Sequence, residues 1–125
     1  MNNPFIKPSC DGDIFTGVEV NVGGEYFLIA PYDLSDKDMN WKDTMRLLDL
    51  TNNKTFTYKQ ICAMMMFREE INAIMEEYGG EPLDKWYWTC AEYSPYGMFF
   101  YNAHDNCLSG YFKELTNYCR VVKTL

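Results

Sequence analysis

Five cysteines and a single histidine offer the most reactive side chains in the chain. The cysteines lie at positions 10, 62, 90, 107 and 119, and no Cys-x-x-Cys pair occurs. Because His104 is the only imidazole, a zinc site built from Cys and His ligands is not expected. The odd number and irregular spacing favour reduced, mostly buried thiols that behave as small apolar side chains. The alternative is a disulfide among Cys90, Cys107 and Cys119.

Nucleophilic or acid–base catalysis requires groups that converge. His104 lies three residues before Cys107, so it is the base that a cysteine nucleophile would need. The run His104-Asp105-Asn106 is equally typical of a solvated turn, which we favour. The adjacent acids at 69–70 and 76–77 point apart on a helix, and a solvated helix face explains them. The sequence therefore predicts no catalytic residue, no metal ligand and no cofactor.

A mixture of tyrosines and small polar residues after position 92 is the richer pattern. Aromatic residues make up 17% of the chain, a surplus that suggests a contact surface beyond the core. Tyrosines mixed with Ser and Asn are typical of binding loops. We predict a ligand-contacting surface centred on residues 101–117, and the candidate ligand-binding residues are Tyr93, Tyr96, Tyr101, Asn102, His104, Asn106, Ser109, Tyr111, Glu114 and Asn117. The alternative is that about half of these tyrosines pack within a small sheet.

Length and charge exclude several classes of protein. The chain has 125 residues and a net charge of −7, which fits one domain. It lacks the clustered Lys and Arg of a nucleic-acid binder. No apolar run approaches the ~18 residues of a membrane helix, and no secretory signal begins the sequence. We expect a protein of the cytoplasm or of a phage virion, secreted only if a signal has been removed.

The first part of the chain predicts an arm and a hairpin. Residues 1–16 are rich in Pro, Asn and Asp, so we expect an irregular N-terminal arm before a single domain at 17–125. Apolar and polar residues alternate over 17–22, which predicts a strand. Gly23-Gly24 predicts a tight turn into a second strand at 25–30, which Pro31 ends.

The middle of the chain predicts helices. Asn40 is suited to cap an amphipathic helix over 41–50. Thr57 and Gln60 have the spacing of a capping box. Helical spacing of apolar residues then runs from Ile61 to Tyr78 and falters at 67–68, which predicts two short helices or one bent helix. Gly79-Gly80 is a strong helix stop.

The last third predicts short strands. Aromatic or β-branched runs at 86–91, 98–101, 107–113 and 118–122 are separated by turn-forming residues. We expect Trp41, Trp86 and Trp88 in the core, and Arg120 in a structural pair with a buried or partly buried carboxylate. Helices between strands predict an α+β fold in which the N-terminal hairpin pairs with the final strand.

Two segments resemble a known family. The first is Gly79-Gly80 followed by Trp86-Tyr87-Trp88-Thr89-Cys90-Ala91-Glu92-Tyr93-Ser94, which resembles "G-G … W-Y-W-S-S-T-E-Y-S". The second is Lys113 followed by Asn117-Tyr118-Cys119-Arg120-Val121-Val122, which resembles "K … N-Y-Y-V-R-P-V". Both patterns belong to a bacterial and phage C-type-lectin-like domain family, the Lcl C-terminal type. With a weaker likeness at 40–45, 57–60 and 70–73, the resemblance covers roughly residues 17–125. Thr89-Cys90 replaces the paired Ser of the family, and Thr55-Phe56 replaces its Leu-Pro.

The resemblance implies a C-type-lectin-like fold: a small twisted antiparallel sheet, two or three short helices and long display loops. Members of the family are ligand-binding tips of surface and phage proteins, and relatives include the variable proteins of diversity-generating retroelements. Sulfatase-activating enzymes share the broad fold and use paired cysteines, but neither Cys90 nor Cys119 aligns with such a pair. Glu81-Pro82-Leu83 lacks the Asn of the lectin calcium motif, so calcium is not expected.

These observations lead to one function and one alternative. We expect a non-enzymatic module of phage or bacterial origin that binds a protein or glycan ligand and has no membrane span. The alternative is a structural or assembly domain of a phage or surface complex, with its aromatic residues at a subunit interface.

Overall fold

Seven strands and three helices make up the described part of the chain, residues 4–125 of a computed structural model. In chain order they are β1 Ile6–Asp11, β2 Ile14–Val22, β3 Glu25–Asp33, α1 Trp41–Leu50, α2 Tyr58–Met66, α3 Arg68–Glu77, β4 Trp86–Ser94, β5 Gly97–Asn102, β6 Cys107–Phe112 and β7 Arg120–Thr124. The strands form two small antiparallel sheets. The α+β prediction is confirmed.

The four-stranded sheet has the order β1-β2-β3-β7. Gly23 and Gly24 have φ angles of 60° and 83°, so they form the hairpin turn that only glycine adopts easily. Val22 faces Glu25 across this turn, and Ile29 pairs with Val122 of β7. The predicted pairing of the N-terminal hairpin with the final strand is confirmed.

The structure corrects two expectations about the first 33 residues. Residues 6–11 of the expected irregular arm form β1, and β2 begins at Ile14. The reason is that Ile6 is buried and pairs with Val20, while Pro8 is tolerated because β1 is an edge strand. Likewise β3 continues through Pro31 to Asp33, since Pro31 lies where pairing with β7 is interrupted and needs no N–H there. Residues 1–3 of the arm lie outside the described residues.

The helices begin and end where the sequence indicates. The Asn40 side chain accepts a hydrogen bond from the backbone N–H of Asp43 at 2.8 Å, and Thr57 and Gln60 form a complete capping box. Phe67 separates α2 from α3 with a φ of −126°, as the interrupted apolar stripe predicts. Gly79 follows α3 with a φ of 82°. None of the helices within residues 4–125 has the length and hydropathy that a membrane span requires.

The three-stranded sheet β4-β5-β6 contributes to two apolar clusters. Tyr87 and Tyr101 face the main core, together with residues of α2, α3 and the four-stranded sheet. On the opposite face, Trp88 and Phe100 belong to a smaller cluster against which the half-buried Trp41 packs. The expectation that Trp86 also lies in the core is wrong. It faces Asn102 at the end of the sheet and is 39% exposed.

A buried ion pair joins β3 to β7. Arg120 Nε donates to Asp33 Oδ1 at 2.9 Å, and Lys85 Nζ lies 2.7 Å from Asp33 Oδ2. Arg120 Nη1 also donates to the carbonyl oxygens of Ala30 and Glu81. The Arg120 side chain is fully buried and that of Asp33 nearly so. The predicted pairing of Arg120 with a buried carboxylate is confirmed, and its role is structural.

The five cysteines are all free thiols. Cys119 is buried, Cys62 and Cys107 are half-buried, and Cys10 and Cys90 are exposed. No disulfide joins any of them in the structure, and the expectation that most are buried is wrong. Cys10 lies on the edge strand β1, and Cys90 lies where pairing of β4 with β5 is interrupted.

Candidate functional site

The residues predicted to form one contact surface lie on two faces of the three-stranded sheet. Directly opposed residues of antiparallel strands share a face. Met98 faces Tyr111 and Phe100 faces Ser109 on the face that carries Trp86 and Trp88. Tyr101, by contrast, faces Tyr87 and Leu108 on the core side. Because side chains alternate between the two faces of a strand, the candidate residues are divided between the two faces of the sheet.

Tyr101 and Asn117 cannot belong to an exposed surface, because both are buried. The Tyr101 hydroxyl donates to Asn106 Oδ1 at 2.6 Å, and Asn106 Nδ2 donates to the carbonyl of Met65. Burial raises the pKa of Tyr101 to about 12. Tyr101 and the half-buried Asn106 thus fasten the β5–β6 turn to α2. The prediction that these residues contact a ligand directly is wrong for Tyr101, whose register places it inside.

Two further candidate residues, Asn102 and His104, lie at the β5–β6 turn. Asn102 Oδ1 accepts from the backbone N–H of His104 at 3.0 Å, and Asn102 Nδ2 donates to Asp105. His104 is exposed within the turn, as the solvated-turn interpretation predicts. Elsewhere, Ser109 and Glu114 are exposed, whereas Tyr111 is half-buried.

Exposed apolar side chains gather at one end of the three-stranded sheet. We call this surface the aromatic tip and define it by Tyr93, Tyr96, Phe112 and Leu115, which are 60%, 74%, 64% and 41% exposed. Three of them, all but Tyr96, line a groove of about 250 Å³. Tyr96 lies on the adjoining β4–β5 turn, and its carbonyl oxygen accepts from Lys113 N at 3.2 Å. The sequence pattern indicated the two tyrosines but not Phe112 and Leu115.

Tyr93 is held by neighbours on two strands. Its ring makes an edge contact with Phe99, with centroids 5.2 Å apart, and covers Gly110 of β6, where a methyl group would overlap the ring. Tyr58 of α2 also contacts Phe99, with centroids 5.5 Å apart. Because the ring is fixed before any partner arrives, binding costs it little rotamer entropy.

A second, more polar cleft lies beside Trp86. It has a volume of about 260 Å³, and its lining includes Asp38, Asp84, Trp86, His104 and Asn117. A larger, open groove of about 520 Å³ along α3 shares Asp84 and His104 with this cleft. We call the first of these the Trp86 cleft and the second the α3 groove.

Metal-binding chemistry finds no support in the arrangement of side chains. Within residues 4–125, no cluster of three or more His, Cys, Asp or Glu side chains could hold a metal ion. Although Cys90 as a whole is exposed, its Sγ lies 3.0 Å from the carbonyl oxygen of Phe56, and the partial burial of this sulfur raises the pKa of the thiol. A raised pKa keeps a thiol protonated and makes it a weaker nucleophile.

Comparison with known proteins gives no relative on which to base a function. No family model matches the chain, and no curated protein or solved structure matches it. A function for this chain must therefore be inferred from the geometry of the aromatic tip and the Trp86 cleft.

Proposed function

We propose that this protein is a non-enzymatic, C-type-lectin-like binding module of phage or bacterial origin that contacts a protein partner through the aromatic tip. The observation that carries the proposal is the exposure of Tyr93, Tyr96, Phe112 and Leu115 at one end of a small sheet. Contiguous exposed apolar side chains on a soluble domain are typical of interaction sites. Tyrosine and phenylalanine are enriched in such interfaces.

The lining of the groove favours a protein over a sugar at this surface. Aromatic, aliphatic and glycine residues dominate the groove, and Ser94 adds a small hydroxyl side chain. A sugar needs several convergent polar groups, whereas an apolar side chain of a partner protein needs a preformed apolar pocket. The fixed ring of Tyr93 provides one wall of that pocket.

The experiment measures binding of the labelled protein to a panel of intact bacterial cells. We expect saturable binding that is lost when the cells are treated with protease, since the proposed partner is a protein. The double variant Tyr93→Ala, Tyr96→Ala should bind at least about tenfold more weakly, because buried aromatic anchors dominate interface energies.

The matched control is the double variant Tyr26→Ala, Tyr32→Ala, which removes two exposed tyrosines from β3 of the four-stranded sheet. It should bind as wild type does. Equal binding by the Tyr93, Tyr96 variant, with unchanged thermal unfolding, would overturn the proposal. A concentration-dependent dimer that this variant abolishes would instead support the assembly alternative, in which the tip contacts another copy of the chain.

A further inference from the structure

Strand β6 forms an open edge of the three-stranded sheet. Natural proteins usually block the edge strands of their sheets with charged side chains, proline, bulges or a covering segment. Among residues 4–125, β1 carries Lys7, Pro8 and a break in its pairing register. The outer side of β7 bonds to the carbonyl oxygen of Lys54, and that of β4 bonds to the backbone of Tyr118. In contrast, β6 has no charged residue, no proline and an unbroken register with β5, so its backbone is available to another strand.

The register identifies the backbone groups of β6 that point away from β5. In an antiparallel pair, the N–H and C=O of successive residues point alternately toward the neighbouring strand and away from it. Lys113 N donates to the Tyr96 carbonyl oxygen at 3.2 Å, and these two residues continue the register of the two strands. The odd-numbered residues of β6 therefore bond to β5, and the outward groups belong to Leu108, Gly110 and Phe112. Within residues 4–125, only the Phe112 carbonyl among these groups has a hydrogen-bond partner, the N–H of Leu115 at 3.1 Å.

The outward groups lie beside the groove of the aromatic tip. Gly110 faces Phe99, whose ring contacts Tyr93. Gly110 and Phe112 both line the groove of about 250 Å³. A strand that pairs with β6 places every second side chain on this face of the sheet. The edge and the groove can therefore bind the backbone and an apolar side chain of the same segment.

The charges near the start of β6 favour a basic segment. The exposed Glu69 and Glu70 line a pocket beside the β5–β6 turn, together with the cation of Arg68. Asp105 of the turn, which accepts a hydrogen bond from Asn102, adds another exposed carboxylate. At the other end, the lysine and the glutamate that follow β6 offset each other. Since the chain carries a net charge of −7, it repels a second copy of itself, whereas it attracts a segment that contains Lys or Arg.

We propose that β6 accepts an extended, basic segment of a partner protein as an added strand, with an apolar side chain of that segment in the groove of the aromatic tip. Strand addition draws its affinity from main-chain hydrogen bonds and its specificity from pockets for alternate side chains, and β6 offers both. A Lys or Arg of the segment lies near Glu69 and Glu70. This inference rests on the proposed function and deepens it, because it names the part of the partner that the tip contacts.

The test selects ligands for the wild-type protein from a display library of random peptides of about nine residues, a length within the range of strands. Synthetic copies of the selected peptides are titrated by calorimetry. We expect peptides that alternate apolar and polar residues and contain Lys or Arg. In hydrogen exchange followed by NMR, the bound peptide should slow the amides of Leu108, Gly110 and Phe112 by about tenfold or more. The amides of residues 109 and 111 already bond to β5 and should change little.

Two substitutions at Phe112 separate the contribution of its backbone from that of its ring. Phe112→Ala and Phe112→Pro both remove the exposed ring, but only proline also removes the outward N–H. Because that N–H does not bond to β5, an edge strand tolerates proline there. Phe112→Pro should bind the selected peptide about tenfold more weakly than Phe112→Ala, since it loses a hydrogen bond and its ring obstructs the added strand. The double variant Tyr26→Ala, Tyr32→Ala is the control and should bind the peptide as wild type does.

Strand addition is overturned if no peptide is selected, if the selected peptides are acidic, or if Phe112→Pro and Phe112→Ala bind equally well. It is also overturned if the amides of residues 108, 110 and 112 keep their exchange rates in the complex, a measurement on wild-type protein that decides the outcome should Phe112→Pro not fold. These results leave the aromatic tip as a contact surface, because the cell-binding assay with the Tyr93, Tyr96 variant tests it separately. A dimer that protects the same amides without peptide would assign the edge to a second copy of the chain and overturn the proposal as well.

Discussion

The ring of Tyr93 covers Gly110, although the two residues belong to strands that are separated by β5. Phe99 of β5 makes an edge contact with the same ring, at 5.2 Å between centroids. An aromatic ring laid over a strand glycine shields its backbone and fixes the ring. This single contact links the integrity of the three-stranded sheet to the shape of the aromatic tip.

Gly110→Ala should therefore disturb the aromatic tip. The new methyl group would overlap the Tyr93 ring, so the ring must leave its place, at a cost of about 1–3 kcal/mol in the free energy of unfolding. Binding to cells should weaken as well. Urea denaturation measures the first effect and the cell-binding assay the second.

The Tyr93→Ala background provides the control for this overlap. Without the ring, Gly110→Ala should cost much less, so a double-mutant cycle should show strong coupling. Additive effects of the two substitutions would show that another shift in the structure, and not movement of the Tyr93 ring, makes room for the new methyl group.

Local signals predicted the elements, whereas the faces of the strands depended on register. Gly23-Gly24, Asn40 and the Thr57–Gln60 box each act within a few residues, and the structure has all of them as expected. The exposure of Tyr101 and Trp86 differs from the prediction, because it depends on where each strand ends and on which elements cover each face of the sheet. Those facts arise from contacts between residues far apart in the chain, and composition does not encode them.

The aromatic tip was half predictable for the same reason. Tyr93 and Tyr96 stood out as tyrosines among Ser, Pro and Gly. Phe112 and Leu115 carry no such signal in the sequence, although Gly110 and Phe112 alternate along β6 and share the face of Phe99. A sheet that extends beyond the core leaves such residues exposed.

Removal of Asp33 should destabilise the fold strongly. Asp33→Ala leaves the buried Arg120 guanidinium without its carboxylate, and loss of one partner of a buried pair costs about 3–5 kcal/mol. Chemical denaturation of the variant measures the loss. The pair of the exposed Lys7 with the half-buried Glu19, at 3.4 Å, serves as control, and Lys7→Ala should cost less than about 1 kcal/mol. If Asp33→Ala lost no more stability than Lys7→Ala, the buried pair of Asp33 with Arg120 would contribute little to the stability of the fold.

The five thiols should react at distinct rates. Burial raises the pKa of Cys119 to about 12, and the reagent cannot reach a buried sulfur, so alkylation at pH 8 should modify Cys119 last. Cys10 is exposed on an edge strand and should react first. Cys90 is exposed too, but its raised pKa should make it slower than Cys10, because the thiolate is the reactive form. Mass spectrometry of timed iodoacetamide reactions gives the order, and the differences should vanish in urea.

Alkaline pH should destabilise the protein over a range set by the raised pKa values of two buried groups, the Tyr101 hydroxyl and the Cys119 thiol. Burial raises the pKa of Tyr101 from 10.0 to about 12, against the lowering effect of Arg68. Between these values the unfolded chain loses a proton that the folded chain keeps, so the free energy of unfolding falls as pH rises. Cys119, raised from 9.0 to about 12, acts in the same direction from pH 9 upward. For one group the slope is at most about 1.4 kcal/mol per pH unit.

Urea midpoints from pH 8 to 11.5 should fall less steeply above pH 10 in Tyr101→Phe than in wild type, with Tyr96→Phe as the control at an exposed position. Parallel curves for wild type and Tyr101→Phe would show that the Tyr101 hydroxyl titrates alike in both states.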